Sequence, residues 1–174
     1  MKPDQTHIDQ WLAARKSEKT LRNPEQLFEG LQNGSRSALS AAITLIESEN
    51  PKDRKLAAVL LSRCKKVAKS AKRIGITGVP GVGKSTFIES FGLQLLEKGL
   101  KIAVLAIDPS SSVSGGSILG DKTRMEQLST QEAVFIRPSA AGRTLGGVAK
   151  NTREAILLCE AAGFDIIIIE TVGV

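Results

Sequence analysis

Short apolar runs alternate with amphipathic segments through the second half of the chain. The runs fall at 102–107, 133–136 and 166–169, and a further short strand is predicted at 73–77. Between these strands apolar residues recur at helical spacing near 84–98, 122–128 and 148–162. Short apolar runs of this length are typical of strands buried on both faces of a parallel sheet. The alternation predicts an α/β fold with a doubly wound, mostly parallel sheet.

The first part of the chain has a different pattern. Residues 1–23 are polar and without apolar periodicity, so we expect a mobile extension. Residues 24–72 then show three helical segments, the first ending at Asn33 and Gly34 and the second before Pro51. We therefore predict an N-terminal helical arm over 24–72, followed by a nucleotide-binding fold over 73–174.

A phosphate-binding loop joins the first predicted strand to the first helix of that fold. It matches the pattern G-x-x-x-x-G-K-[ST] at Gly78, Val79, Pro80, Gly81, Val82, Gly83, Lys84 and Ser85, with Thr86 next to it. In such a loop the backbone N–H groups surround the phosphates, Lys84 reaches the β and γ oxygens, and the Ser85 hydroxyl binds Mg²⁺. The helix that follows adds its positive N-terminal dipole to the anion site.

Acidic residues follow two of the predicted strands. Asp108 comes after the second strand and Glu170 after the isoleucine run, so both should lie at the carboxyl edge of the sheet, near the phosphates. Mg²⁺ needs only one or two carboxylates besides phosphate oxygens and water. Asp165 begins the strand that Glu170 ends, about 16 Å away, and we assign it a structural or solvent role. An ordinary strand-end carboxylate remains the alternative for Glu170.

Two loops rich in small residues open toward the same edge. Residues 108–125 have the composition of a flexible switch segment, although a plain connector would have it too. Residues 137–147 form the second predicted loop, in which Arg137 or Arg143 could approach the γ-phosphate or could lie at the surface.

Charge and composition narrow the class of protein. The net charge of +6 comes from residues 1–73, which hold 15 basic and 8 acidic side chains, and aromatic residues make up only 3% of the chain. The basic cluster between Arg63 and Arg73 indicates a solvated helix face first, an acidic partner second and nucleic acid last. We find neither a membrane-spanning run nor a signal peptide and expect a cytoplasmic location. Cys64 and Cys159 lack zinc-site spacing and are expected to be buried.

Several motifs together resemble one family, the methylmalonyl-CoA mutase-associated GTPases of the MeaB/ArgK type. The resemblance spans about 35–174 and rests on the phosphate loop and four further segments: Asp108-Pro-Ser-Ser, Gly115-Gly-Ser-Ile-Leu-Gly-Asp-Lys-Thr-Arg-Met, Leu145-Gly-Gly and Glu170-Thr-Val-Gly-Val. It implies a Mg²⁺-dependent GTPase that escorts an adenosylcobalamin-dependent acyl-CoA mutase, gating cofactor loading and protecting the mutase. It also implies catalytic roles for Lys84 and Glu170, and a metal and switch set of Ser85, Asp108, Asp121 and Glu170.

The family pattern continues beyond the position of Val174 with further strands, an N-K-x-D base-reading motif and a region for homodimerisation. We therefore expect a P-loop fold from which the C-terminal half of the G domain is absent, and guanine specificity is inferred from the resemblance. Two other readings stay open. One is an ATP-dependent kinase or ATPase linked to lysine, arginine or ornithine transport, and the other is a fragment without activity.

Overall fold

The computed structural model describes residues 23–108, 125–140 and 151–171. Six helices and four strands lie in these ranges. The helices are α1 (Pro24–Gln32), α2 (Arg36–Glu47), α3 (Pro51–Val67), α4 (Lys84–Glu97), α5 (Glu126–Ser129) and α6 (Thr152–Ala161). The strands are β1 (Lys72–Ile76), β2 (Ile102–Asp108), β3 (Val134–Ala140) and β4 (Ile166–Thr171).

The four strands form one parallel sheet in the order β1-β4-β2-β3. This confirms the predicted α/β fold with a parallel sheet. β4 is central, with β1 on one side and β2 on the other, and its four consecutive isoleucines fit a strand covered on both faces. Parallel pairing also brings all carboxyl ends to one edge of the sheet, where the phosphate loop leaves β1.

Alternate residues of the strands enter two separate hydrophobic clusters, as the period of two in a strand requires. Ala103, Leu105 and Ile167 face helices α1, α2, α3 and α6 in what we call the arm-face cluster. Ile102 and Val104 face α4 and α5 in what we call the loop-face cluster. Helices thus cover both faces, which makes the sheet doubly wound.

The helices of the N-terminal arm begin at polar caps. The side chains of Asn23, Ser35 and Asn50 accept hydrogen bonds from backbone N–H groups of the first turns of α1, α2 and α3. These helices contribute to the same arm-face cluster as the sheet and α6. The boundary between an arm over 24–72 and a fold over 73–174 stays a prediction.

One predicted boundary was wrong. The second loop was expected to start at residue 137, but β3 continues to Ala140 and pairs with β2 through Asp108. Arg137 and Pro138 looked like loop residues by composition. Proline is tolerated here because β3 is an edge strand of the described sheet, where an N–H group is not needed for a second neighbour.

Several predictions fall outside the described residues. These are the extension apart from Asn23, most of the segment 108–125, residues 141–147 of the second loop, and the last three residues. The N-terminal ends of the helices predicted at 122–128 and 148–162 also fall there, and the described helices begin at Glu126 and Thr152. Of the helices described, none is long and apolar enough to cross a bilayer.

Candidate nucleotide site

The phosphate loop connects β1 to α4 through glycines in conformations that other residues rarely adopt. Gly78, Gly81 and Gly83 have φ angles of 152°, 80° and 95°. A Cβ atom at Gly81 or Gly83 would meet nothing within 4 Å, so backbone conformation and not space requires glycine there. Gly83 caps α4, and its carbonyl accepts the N–H of Phe87. The loop therefore directs the start of a helix toward the carboxyl edge of the sheet.

The side chain of Lys84 folds over this loop. Its Nζ donates hydrogen bonds to the carbonyl oxygens of Gly78, at 2.7 Å, and Val79, at 3.2 Å. The ammonium group thus lies beside the loop backbone, and a positive charge is held where the sequence places phosphates. Val79, Pro80, Val82 and Thr86 are exposed around it, so the loop is open to solvent.

Ser85 and Glu170 meet beneath the loop. The Ser85 Oγ donates to the Glu170 Oε1 at 3.4 Å, and the two residues are only 9% and 8% exposed. In the ladder, Glu170 aligns with Ile76 of β1 and with Ala106 of β2. The central strand therefore brings its carboxylate to the first turn of α4.

Asp108 ends β2 two positions beyond Ala106, the residue aligned with Glu170. Its backbone is therefore at the same edge of the sheet as Glu170, about 7 Å further along the strand direction. The Asp108 side chain and all of Asp121 and Arg143 lie outside the described residues. Of the four predicted metal ligands, Ser85 and Glu170 are the two whose side chains the structure brings together.

This pair suits a hard divalent cation. A hydroxyl and a carboxylate oxygen are the donors that Mg²⁺ prefers, and Mg²⁺ commonly uses few protein ligands. The Lys84 ammonium, which donates to two carbonyl oxygens of the same loop, supplies the positive charge that phosphate oxygens need. The residues present therefore fit a Mg²⁺-nucleotide.

Arg137 lies elsewhere. Its guanidinium donates to Glu47 at 2.9 Å and to the hydroxyls of Ser40 and Thr44, all on α2. Of the two alternatives that the sequence left open, an approach to phosphate or a place at the surface, the structure shows neither. Arg137 instead ties β3 to the arm.

Asp165 has the structural role expected of it. It precedes β4 at the amino edge, opposite the phosphate loop, and its Oδ2 accepts the backbone N–H of Lys101 at 2.8 Å.

Sequence reasoning missed one polar contact near the site. The Thr171 Oγ1 donates to the carbonyl oxygen of Ile76, the last residue of β1, at 3.4 Å. Thr171 thus joins the end of β4 to the strand that carries the phosphate loop. Its position after Glu170 was the available signal, since a hydroxyl at the end of a central strand lies near the ends of its neighbours.

Comparison with known proteins identifies the family of this chain. The family model of the methylmalonyl Co-A mutase-associated GTPase MeaB matches residues 39–174. The chain is 53% identical over 144 residues to GTPase ArgK of Escherichia coli, covering 83% of this chain and 44% of that protein. It is 51% identical over 168 residues to the mitochondrial methylmalonic aciduria type A homolog of Mus musculus, covering 91% and 40%.

A solved structure gives the same result for the fold. The crystal structure of a LAO/AO transport system kinase superposes with a TM-score of 0.70 at 40% sequence identity, covering 90% of this chain and 44% of that one. The chain spans less than half the length of the curated relatives it matches. By the extent of the family match, the similarity to these relatives and the shared fold, the chain belongs to the MeaB family of methylmalonyl-CoA mutase-associated GTPases.

Proposed function

We propose that this chain carries the phosphate-binding and metal-binding part of a GTP-hydrolysing chaperone for an adenosylcobalamin-dependent acyl-CoA mutase. The observation that carries the proposal is the buried contact between Ser85 and Glu170 below the phosphate loop. It joins the loop that would hold phosphates to the carboxyl end of β4. The family name supports both GTP and the mutase as the partner.

In the proposed function, different residues of the site bind the phosphates and the metal. The loop from Gly78 to Gly83 surrounds the phosphates with backbone N–H groups, and Lys84 exchanges its carbonyl partners for phosphate oxygens. Ser85 and Glu170 hold the metal, with Asp108 and Asp121 proposed to complete the set. When bound, Mg²⁺ neutralises charge that develops on the phosphates. Glu170 also positions the turn that follows it, which responds to the γ-phosphate.

Partner control follows from the same parts. We propose that bound GTP orders the segment 108–125 and the turn after Glu170, and that hydrolysis releases them. The change alters the grip on the mutase and so gates cofactor loading. Homodimerisation is proposed for the full-length family members.

The phosphate site is tested by the variant Lys84→Ala. We expect it to weaken binding of a fluorescent GTP analogue by about 10- to 100-fold, because a hydrogen bond to a charged group is lost. Lys98→Ala is the matched control, since Lys98 is an exposed lysine at the other end of the same helix. Equal affinities for the two variants and the unaltered chain would exclude this use of the loop.

The metal site is tested by Glu170→Gln, which keeps the size of the side chain and removes its charge. We expect the Mg²⁺ concentration required for tight GTP-analogue binding to rise by about tenfold, with little change in metal-free binding. Unchanged Mg²⁺ dependence would remove Glu170 from the proposed set.

The partner is tested by measuring GTP hydrolysis with and without a cobalamin-dependent acyl-CoA mutase. We expect the mutase to raise the rate, and no effect from a series of such mutases would contradict the chaperone role.

The name of the structural neighbour, a transport system kinase, favours a second candidate function. Preference for ATP over GTP in competition, with phosphate transferred to a small acceptor, would support the kinase. Absence of stabilisation by either nucleotide would support an inactive fragment.

A further inference from the structure

Two adjoining clefts lie at the amino edge of the sheet, on the opposite side from the phosphate loop. The first, of about 360 Å³, is lined by Lys69, Lys72, Leu100, Phe164 and Asp165 among others. The second, of about 340 Å³, shares Lys69 and adds Lys101. β1 is five residues long, so these clefts are separated from the start of the phosphate loop by about 16 Å. A ligand here would leave the nucleotide site accessible.

Within the described part of the chain, three lysines at these clefts have no acidic partner. Lys69, Lys72 and Lys101 are exposed, and no carboxylate in the described part of the chain forms an ion pair with them. The two acidic residues that line the clefts already have partners. Glu160 accepts from Arg73 and from the Ala71 N–H, and Asp165 accepts from the backbone of Lys101. The amino edge therefore carries positive charge that the fold itself does not use.

The spacing of the lysines favours a peptide over a single phosphate. The backbone starts of β1 and β2 are separated by β4, so Lys72 and Lys101 begin about 10 Å apart. Carboxylates two and four residues apart in an extended peptide lie on one face and are separated by about 7 and 13 Å, distances on either side of this value. A single phosphate group would need its cations to converge on one point.

The walls of the clefts favour a peptide over nucleic acid. Leu100 and the half-buried Phe164 provide apolar surface for aliphatic side chains. The ring of Phe164 already packs against Phe135, with ring centroids 6.2 Å apart, so it is not a free platform for stacking bases.

We propose that this amino-edge surface binds an acidic, partly apolar segment of a partner protein. Lys69, Lys72 and Lys101 pair with its carboxylates, and Leu100 and Phe164 contact its aliphatic side chains. The site is separate from the nucleotide site and does not depend on the proposed GTPase function.

The probe is a fluorescein-labelled ten-residue peptide of alternating Glu and Leu, with a peptide of alternating Gln and Leu as its neutral match. Fluorescence anisotropy with the full chain should show at least about tenfold tighter binding of the acidic peptide in low salt, because several ion pairs act together. The preference should disappear in about 0.5 M salt, where screening is strong. Equal binding of the two peptides in low salt would overturn the proposal.

The variant K69E/K72E/K101E should weaken acidic-peptide binding by at least tenfold. K52E/R54E/K55E is the matched control, since it makes the same charge change on exposed positions at the other end of α3 and should retain most of the binding. Binding of a fluorescent GTP analogue by the first variant reports separately on the nucleotide site. An equal loss of peptide binding in both variants would show an effect of overall charge and overturn the proposal.

Lysine acetylation of the unaltered chain tests the same surface without any substitution that could disturb folding. The acidic peptide should slow acetylation of Lys69, Lys72 and Lys101, measured by mass spectrometry, and leave Lys52 and Lys55 unchanged. Uniform protection of all five lysines would overturn the site. A competition experiment completes the test, with sodium tripolyphosphate, a ten-nucleotide RNA and anionic phospholipid vesicles as competitors. If any of them displaces the labelled peptide more effectively than unlabelled acidic peptide does, the surface belongs to another kind of partner and the proposal is overturned.

Discussion

Among the described residues, the two faces of the sheet are packed to different extents. In the described residues, the arm-face cluster contains twenty buried residues, drawn from α1, α2, α3, α6 and three strands. The loop-face cluster contains eight, and Ile88 is the one fully buried large side chain that α4 contributes. Phe87, an apolar residue on the same helix, is 52% exposed. The helix that carries Lys84 and Ser85 thus lies on the lightly packed face.

Most of the stabilising core therefore lies on one face of the sheet, and the proposed nucleotide site is carried by a helix on the other. Buried apolar area on the arm face contributes most of the hydrophobic stabilisation, because that term scales with area. The strand that leads into the phosphate loop, β1, is an edge strand, with β4 as its only neighbour among the described strands. The phosphate loop is therefore attached to one of the two edge strands of the described sheet.

The strongest test of this comparison removes one leucine from each face. Leu60→Ala on α3, where the side chain is fully buried, should lower the free energy of unfolding by about 3 kcal/mol. Leu95→Ala on α4, where the side chain is half-buried, should lower it by about 1 kcal/mol. Urea denaturation of both variants measures the difference. Similar losses would contradict an unequal distribution of stability.

Two helical glycines provide a second test. A Cβ at Gly30 of α1 would lie 2.5 Å from the Ala38 Cβ of α2, a rigid atom, so the two helices would have to separate. Gly30→Ala should therefore cost about 2 kcal/mol.

At Gly92 of α4, a Cβ would meet the Leu128 methyl groups at 2.8 Å, and these can rotate. Gly92→Ala should be nearly neutral, because the higher helix propensity of alanine, up to about 1 kcal/mol, offsets the rearrangement. Thermal unfolding of the two variants decides the point, and a larger loss at Gly92 would mean that the loop face is as rigid as the arm face.

The third prediction concerns the join between β3 and α2. Arg137→Met removes the contacts with Glu47, Ser40 and Thr44 and should lower stability by about 1 to 2 kcal/mol. If the chain hydrolyses GTP as proposed, the rate should stay within twofold of the unaltered rate, because this guanidinium is directed to the arm. A large fall in the hydrolysis rate with normal stability would instead place Arg137 at the phosphates.

Near neutral pH the smallest effect is a pH dependence on the arm face, which develops only in alkaline solution. Burial raises the pKa of the Cys64 thiol from 9.0 to about 11. Burial, with the neighbouring Glu160 carboxylate, raises the pKa of Cys159 to about 12. The folded chain therefore holds these protons more tightly than the unfolded chain, so stability is full below pH 9 and falls as the pH rises toward 11 and 12. Urea denaturation between pH 8 and 11 measures the decline, and a Cys64→Ala, Cys159→Ala double variant should lose this part of it.

The sequence predicted the sheet and the phosphate loop because both depend on local patterns. The isoleucine run, the glycines at positive φ and the polar helix caps act through neighbours in the chain. It placed the end of β3 wrongly because Arg137 is held by a long-range contact with α2, which composition does not contain. The contact between Ser85 and Glu170 joins residues 85 positions apart. The motifs suggested their proximity, and only the parallel ladder shows how β4 produces it.

The central position of β4 has a consequence for the timing of local opening. Glu170 belongs to a strand whose backbone is hydrogen-bonded to neighbours on both sides, and its preceding residues Ile166, Ile167 and Ile168 are at most 4% exposed. Such strands exchange their amide hydrogens only through global unfolding, whereas edge strands also exchange through smaller fluctuations. We expect the amides of β4 to exchange more slowly than those of β1. The strand that holds the Glu170 carboxylate should therefore remain folded when β1 and the phosphate loop open.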